Sequence, residues 1–151
     1  VKEIEAEDTF VTMNPDEPLT SKEVKDFIQN QIKKSKQKNL VKIGVFVGKK
    51  YLGGCDIEKL GKRQTHIGSF GIVLLKECRG QGIGYKLAQK TIQLAKEKLG
   101  IQQVVLNCFV NNEIGINFYK KLGFKQYGLH PKAVLYKGKC IDEIMFYKEL
   151  S

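Results

Sequence analysis

Residues 66–100 hold the feature that most constrains the fold. "HIGSFGIVLL" is an apolar run of strand length, and "GYKLAQKTIQLAKEKLG" carries a helical stripe. Between them lies "KECRGQGI". A strand, a glycine loop and a helix in succession form a unit of a layered α/β sheet. In the helix, Leu87, Ala88, Thr91, Ile92, Ala95 and Leu99 share one face, and Gly100 is placed as its C-cap. The apolar end of the strand predicts burial on both faces.

Glycine lowers helix propensity and costs backbone entropy on folding. Gly80, Gly82 and Gly84, at alternate positions, therefore mark the close approach of another group. Such a loop offers successive backbone N–H groups at a helix N-terminus, where the dipole favours negative charge. That is an anion site, most often for phosphate. Arg79 adds charge and a fork of donors. A Walker loop is excluded, because Lys86 is not preceded by glycine and is followed by Leu87. A dinucleotide fingerprint needs GxGxxG, whereas these glycines run GxGxG. Arg-x-x-Gly-x-Gly fits at Arg79, Gly82 and Gly84. On these residues alone, a glycine-rich turn with no ligand stays open.

The rest of the chain builds around that unit. "LTSKEVKDFIQNQIKK" predicts a helix, with Thr20 and Glu23 at capping-box spacing. Its apolar face is Val24, Phe27, Ile28 and Ile32. "LVKIGVFVG" predicts a strand and "YLGGCDIEKL" its hairpin partner. "QQVVLNCFV" is a fourth strand, and "NNEIGINFYKKLGF" holds a short helix from Glu113 to Leu122, stopped at Gly123. "FKQYGL", "AVLYKG" and "CIDEIMFYKEL" supply further short strands. This order predicts a mixed α/β sheet with helices on its faces. The 151 residues are expected to form a single domain, 1–151.

Composition narrows the function classes. Apolar residues make up 42%, too many for a disordered chain. No apolar run approaches the roughly 20 residues needed to span a bilayer, and the start shows no signal-peptide pattern. Cys55, Cys78, Cys108 and Cys140 form no CxxC pair, so no metal site is expected, and reduced thiols in a cytoplasmic protein are. The net charge of +10 points to an anionic partner or only to solubility. The basic cluster Lys33 to Lys38 falls where a helix ends, and cations are favoured there. It lacks the interleaved aromatics and arginines of single-strand binders, which disfavours nucleic acid.

Two signatures together resemble the GNAT superfamily of acyl-CoA-dependent N-acetyltransferases. The first is "IVLLKECRGQGIG", where Ile72, Leu74 and Glu77 match the family's strand and Lys76 replaces its common proline. The second is "NEIGINFYKKLGF", where Asn112, Tyr119, Gly123 and Phe124 match and Gly115 replaces alanine. The resemblance covers about residues 20 to 150. It implies a GNAT fold, with a mixed central sheet whose strands splay apart into an acyl-CoA slot. It implies acetyl-CoA as cosubstrate and a primary amine as acceptor, with direct transfer in a ternary complex. Backbone groups of Ile72, Val73 and Leu74 would pair with the pantetheine arm. Arg79 and the amides of Gly80, Gln81, Gly82, Ile83, Gly84 and Tyr85 would hold the pyrophosphate. Asn112 would hydrogen-bond the cofactor arm, and Tyr119 would protonate the leaving thiolate. A phenol suits that task, being neutral at pH 7. For Tyr119, a packing role on the "IxxFYKKL" face stays open.

The acceptor amine needs a base, direct or through water. Some N-terminal acetyltransferases of similar sequence place a glutamate five residues before the signature asparagine. Here that position is Asn107, which cannot act as a base. Glu58, His66 and a water relay are the candidates. His66 shares a face with Ile72 and Leu74 but lies about 26 Å along the strand from Leu74. Cys108 and Cys78 are expected to be inert. Glu113, Asp142 and Glu143 are expected to make the acceptor pocket acidic, with Tyr136 and Asp142 as specificity residues. The expected acceptor is an amino-acid-like molecule or a protein N-terminus. A non-catalytic acyl-CoA sensor and a basic nucleic-acid module are the alternatives, no membrane partner is expected, and a homodimer stays open.

Overall fold

The computed structural model of the chain describes residues 20–151. Helix α1 spans Ser21–Lys36. Strands β1 (Leu40–Val47), β2 (Lys50–Lys59) and β3 (Ile67–Leu74) follow. Helix α2 spans Ile83–Leu99, β4 Gln103–Phe109 and α3 Glu113–Lys121. Strands β5 (Lys125–Tyr136) and β6 (Lys139–Glu149) complete the order.

The six strands form one open sheet in the order β1-β2-β3-β4-β6-β5. Every neighbouring pair is antiparallel except β3 with β4. A parallel pair requires a crossover, and α2 supplies it. The expected stripe is the buried face of α2: Leu87, Ala88, Thr91, Ile92, Ala95 and Leu99. It packs with Val41, Cys55, Ile57 and Phe70 of the sheet. Each large apolar side chain so buried contributes about 1.5–3 kcal/mol. Gly100 closes the helix at φ 65°, its N–H donating to the Lys96 carbonyl. Helix α3 joins the same core through Ile116, Phe118 and Tyr119.

Helix α1 lies on the opposite face, where Lys42 and Glu58 point by strand alternation. Lys34 pairs with Glu58 at 2.7 Å, and the Lys42 ammonium sits 5.6 Å from the Phe27 ring centroid. The capping box is present: the Thr20 hydroxyl accepts from the Glu23 N–H, and the Glu23 carboxylate accepts from the Thr20 N–H. The expected apolar face of α1 is not buried, however. Phe27, Ile28 and Ile32 remain about half exposed, at 51%, 51% and 50%.

Two further readings are corrected by the structure. "FKQYGL" and "AVLYKG" are not separate strands but parts of β5. Its register with β6 shifts between Gln126 and Gly128 and again between His130 and Val134. Pro131 falls in the second of these on an edge strand, where a missing N–H donor is tolerated. The Asp142 carboxylate accepts from the Lys132 N–H at 2.8 Å, bracing Lys132 at φ 53°. The apolar end of β3 is not buried on both faces either. Ile72, Val73 and Leu74 are half-buried, because the neighbouring strand leaves them.

Candidate active site

Strands β3 and β4 pair only at Ile67↔Gln103, Gly68↔Val104 and Ser69↔Val105. Beyond Ser69 they part. Residues 70–74 of β3 keep β2 on one side, with Ile72 opposite Cys55 and Leu74 opposite Gly53. Residues 106–109 of β4 keep β6 on their far side. The gap between them is thus bordered by two strand edges that do not pair with each other. An extended chain entering it would find β3 backbone groups ready to continue the sheet.

The glycine loop stands at the open end of the gap. Gly80 and Gly82 both have φ 75°, a left-handed conformation that side-chain-bearing residues rarely adopt. A Cβ at either would meet no atom within 4 Å, so the space in front of them is open. Gly82 is the N-cap of α2 and provides no side-chain cap. The first-turn amides of Ile83, Gly84 and Tyr85 have no intrahelical acceptor. Gly84 has a different reason to be glycine. A Cβ there would lie 3.2 Å from Leu74 Cδ1 and 3.7 Å from the Phe118 ring, so it lets α2 lie tightly against β3 and α3.

Arg79 is held at the end of the strand. Its Nε and Nη2 both donate to the Leu74 carbonyl, at 2.9 and 2.8 Å. The guanidinium therefore clamps the loop to β3 and leaves its charge beside the glycines. Gln81 donates to the Glu77 carbonyl at 3.1 Å. Asn112 caps α3, its side-chain oxygen accepting from the Gly115 N–H at 2.9 Å. A Cβ at Gly115 would come within 2.5 Å of Asn112 Nδ2, so glycine here accommodates the cap. With its oxygen engaged, Asn112 has its NH2 group left to donate.

Tyr119 is wedged where the strands divide. Its ring meets Phe70 of β3 with centroids 6.1 Å apart, and Phe146 of β6 at 6.1 Å. Phe118 and Phe124 complete an aromatic cage at 5.5 and 6.0 Å. Burial pushes the phenol well above its ordinary value, reinforced by the Cys108 and Cys55 thiols. The hydroxyl therefore stays protonated at every working pH and is available as a hydrogen-bond donor. The thiols themselves are raised by burial, Cys55 to about 12 and Cys108 to about 11. Neither is an activated nucleophile, as expected of Cys108. Cys78 is also buried, and Cys140 is exposed.

Neither side-chain base candidate is brought to the open end of the gap. Glu58 is engaged by Lys34 from α1. His66 lies at the closed end, where its carbonyl accepts from the Gln102 and Gln103 amides. Asp142 holds the β5 bulge, and Glu113 sits exposed in the first turn of α3. Tyr136 stacks on Phe109 at the end of β4, with centroids 5.9 Å apart. Of the carboxylates near the gap, Glu143 was expected in the acceptor pocket, whereas Asp56 was not singled out by the sequence reading. Glu143, 9% exposed, accepts from Asn107 Nδ2 at 3.3 Å. Asp56 of β2 lies beside Gly71 of β3, where a Cβ would be 3.6 Å from its carboxylate. The available signal was an acid at an alternating position within otherwise apolar strand sequence, "IDEIMF" and "YLGGCDI".

A split sheet beside a glycine loop at a helix N-terminus offers a slot for an extended chain with an anion-binding loop at its end. Comparison with known proteins agrees. The model of the acetyltransferase (GNAT) family matches residues 2–124, and the chain belongs to that family. It is 43% identical over 56 residues to N-alpha-acetyltransferase 30 of Schizosaccharomyces pombe, covering 37% of each chain. It is 30% identical over 80 residues to the L-amino acid N-acetyltransferase AaaT of Escherichia coli, covering 53% of this chain and 49% of the relative. The chain thus spans half or less of the length of these curated relatives. The solved structure of yncA, a putative acetyltransferase from Salmonella typhimurium with its cofactor acetyl-CoA, superposes with a TM-score of 0.82. That match covers 99% of this chain and 84% of the other at 13% identity, a likeness of fold. Among the described residues, no helix is long and apolar enough to cross a membrane.

Proposed function

We propose that the protein transfers an acetyl group from acetyl-CoA to the primary amine of an amino-acid-like molecule or a protein N-terminus. The observation that carries this reading is the end of β3–β4 pairing at Ser69, which opens a gap along the rest of β3 toward the uncrowded Gly80–Gly82 loop that follows it. The residues fit the cosubstrate. The Gly80 to Tyr85 amides, with Arg79 beside them, would receive the pyrophosphate. The free edge of Ile72, Val73 and Leu74 would hold the pantetheine arm by backbone hydrogen bonds, and Asn112 would donate to it. Acetyl-CoA supplies the activated acyl carbon when bound, and the chain's residues orient it and handle protons.

Tyr119 would act at the sulfur. Its weakened acidity makes it a donor of a hydrogen bond first and of a proton only as the leaving thiolate develops full charge. The surplus of basic residues, net charge +10, would steer the anionic cosubstrate inward. The amine acceptors named for the two curated relatives, an amino acid and a protein N-terminus, support the acceptor class. All four cysteines are free, which supports a reducing, cytoplasmic setting. The described residues share one sheet and one main core, which supports a single domain. The test is a screen of L-amino acids and short peptides with free N-termini, followed by mass spectrometry of the acetylated product. Transfer to a polyamine alone would contradict the acceptor class.

A further inference from the structure

We propose that Glu143 is the base that takes the proton of the acceptor amine, and that Asn107 positions it. The proposal rests on acetyl transfer being the activity.

The two faces of the sheet are chemically different at the gap. On β4, Val104, Leu106 and Cys108 point into the core with α2 and α3. Phe146 and Ile144 of β6 do the same. Tyr119 belongs to that face, packed on Phe70 and Phe146. Asn107 and Phe109 point the other way, and so does Glu143, which stands directly opposite Phe109. Donor and acceptor chemistry are therefore divided by the sheet. The phenol stands on one face, and a carboxylate stands on the other.

Glu143 reaches from β6 to the strand that borders the gap. Its Oε2 accepts from Asn107 Nδ2 at 3.3 Å. It is the one charged side chain classed as buried among the described residues. A buried carboxylate is costly unless its charge is compensated, and the Asn107 amide is neutral. An incoming ammonium group would supply that compensation. Asn107 stands where some related enzymes have a glutamate, so the carboxylate here would come from the next strand, with the amide holding it. Asp56 is the rival on this face. It is already paired with Lys42 at 3.7 Å.

The step balances as follows. An ammonium nitrogen loses two protons on becoming an amide nitrogen. Glu143 takes the first and returns it to solvent. The nitrogen lone pair forms the new N–C bond with the acetyl carbon, and the C–S bond breaks. The sulfur leaves with its electron pair and gains a proton from Tyr119, which is restored by the second nitrogen proton.

The test compares wild type, Glu143→Gln, Asn107→Ala, Asp56→Asn and His130→Gln. His130 faces Glu143 across the β5–β6 pair and, with the Cys108 thiol, is its titratable neighbour. Glu143→Gln should lower kcat/KM about 10²–10⁴-fold while acetyl-CoA affinity by calorimetry stays within twofold. The acidic limb of the wild-type pH–rate profile should move to higher pH in Glu143→Gln, where the ammonium must lose its proton unaided, and stay in place in His130→Gln. Asp56→Asn should retain activity. Asn107→Ala, which leaves the carboxylate in place but unheld, should lower kcat/KM about 10-fold or more at unchanged acetyl-CoA affinity. Activity of Glu143→Gln within threefold of wild type overturns the proposal, as does loss in Asp56→Asn alone. Full activity of Asn107→Ala overturns it too, even if Glu143→Gln fails to fold. If wild type neither binds acetyl-CoA nor transfers, the activity itself fails and this proposal with it. If wild type transfers and only the Glu143 results disagree, the base assignment alone fails.

Discussion

The rings of Phe70 and Tyr119 meet edge to face, with centroids 6.1 Å apart and planes at 89°. Phe70 is the residue after Ser69, the last of β3 to pair with β4. Tyr119 also touches Phe146 of β6, so one side chain from α3 bridges the two halves of the sheet where they separate. The same residue is thus both wedge and candidate acid, and the two roles can be separated. Tyr119→Phe keeps the ring and removes the hydroxyl. It should leave Tm within a few degrees while lowering kcat about 10–100-fold with little change in KM. Thermal unfolding and steady-state kinetics on the same samples check this. Unchanged kcat would reduce Tyr119 to packing.

The loop glycines should divide by role. Gly84→Val presses a branched side chain against Leu74 and Phe118 and should cost about 1–3 kcal/mol of stability. Gly80→Ala meets no atom and should cost about 1 kcal/mol, from its positive φ alone. Chemical denaturation of both variants decides this. Equal losses would contradict the packing role of Gly84.

Cysteine labelling should reveal one fast site. Cys140 is exposed, while Cys55, Cys78 and Cys108 are buried. The thiolates of Cys55 and Cys108 form only near pH 12 and 11. At pH 8 the native protein should be alkylated at Cys140 first, and the denatured protein at all four positions. Peptide mapping reads the sites, and rapid loss of Cys108 would contradict its burial.

Asp56 gives a pH prediction with a definite sign. Burial raises its carboxyl above the ordinary value of 3.8, and Lys42 only partly offsets this. The folded state therefore holds the proton more tightly than the unfolded chain. Ionisation costs stability above the raised value, and that cost is absent below the unfolded one, where both states are protonated. Asp56→Asn should raise Tm at pH 7, and the gain should shrink as pH falls toward 3.8. Melting curves between pH 3 and 8 test the sign.

The sequence made the α2 unit legible because two local signals agreed there. The helical stripe from Leu87 to Leu99 is the buried face, and Gly100 is the cap. The Thr20–Glu23 box was equally local and equally visible. The two signatures also exposed the loop, Asn112 and Tyr119. The burial of β3 was misread because an apolar run cannot say that its neighbour will leave at Ser69. The β5 bulge was misread because Pro131 looks like a strand end, whereas Asp142 carries the backbone through it. Glu143 was visible only as one of three acids expected near the acceptor. Its partnership with Asn107 joins residues 36 positions apart and follows from register, which one sequence does not display.

The most direct test of the account is calorimetric titration of acetyl-CoA into wild type, Gly82→Ala and Gly82→Glu. Alanine and glutamate share the strain of φ 75°, and only glutamate sets a negative charge before the α2 amides. The account predicts micromolar binding by wild type, modest weakening by alanine, and loss of binding by a folded Gly82→Glu. Binding by Gly82→Glu equal to that of wild type would contradict the placement of the pyrophosphate at this loop, and no binding by wild type would contradict the function.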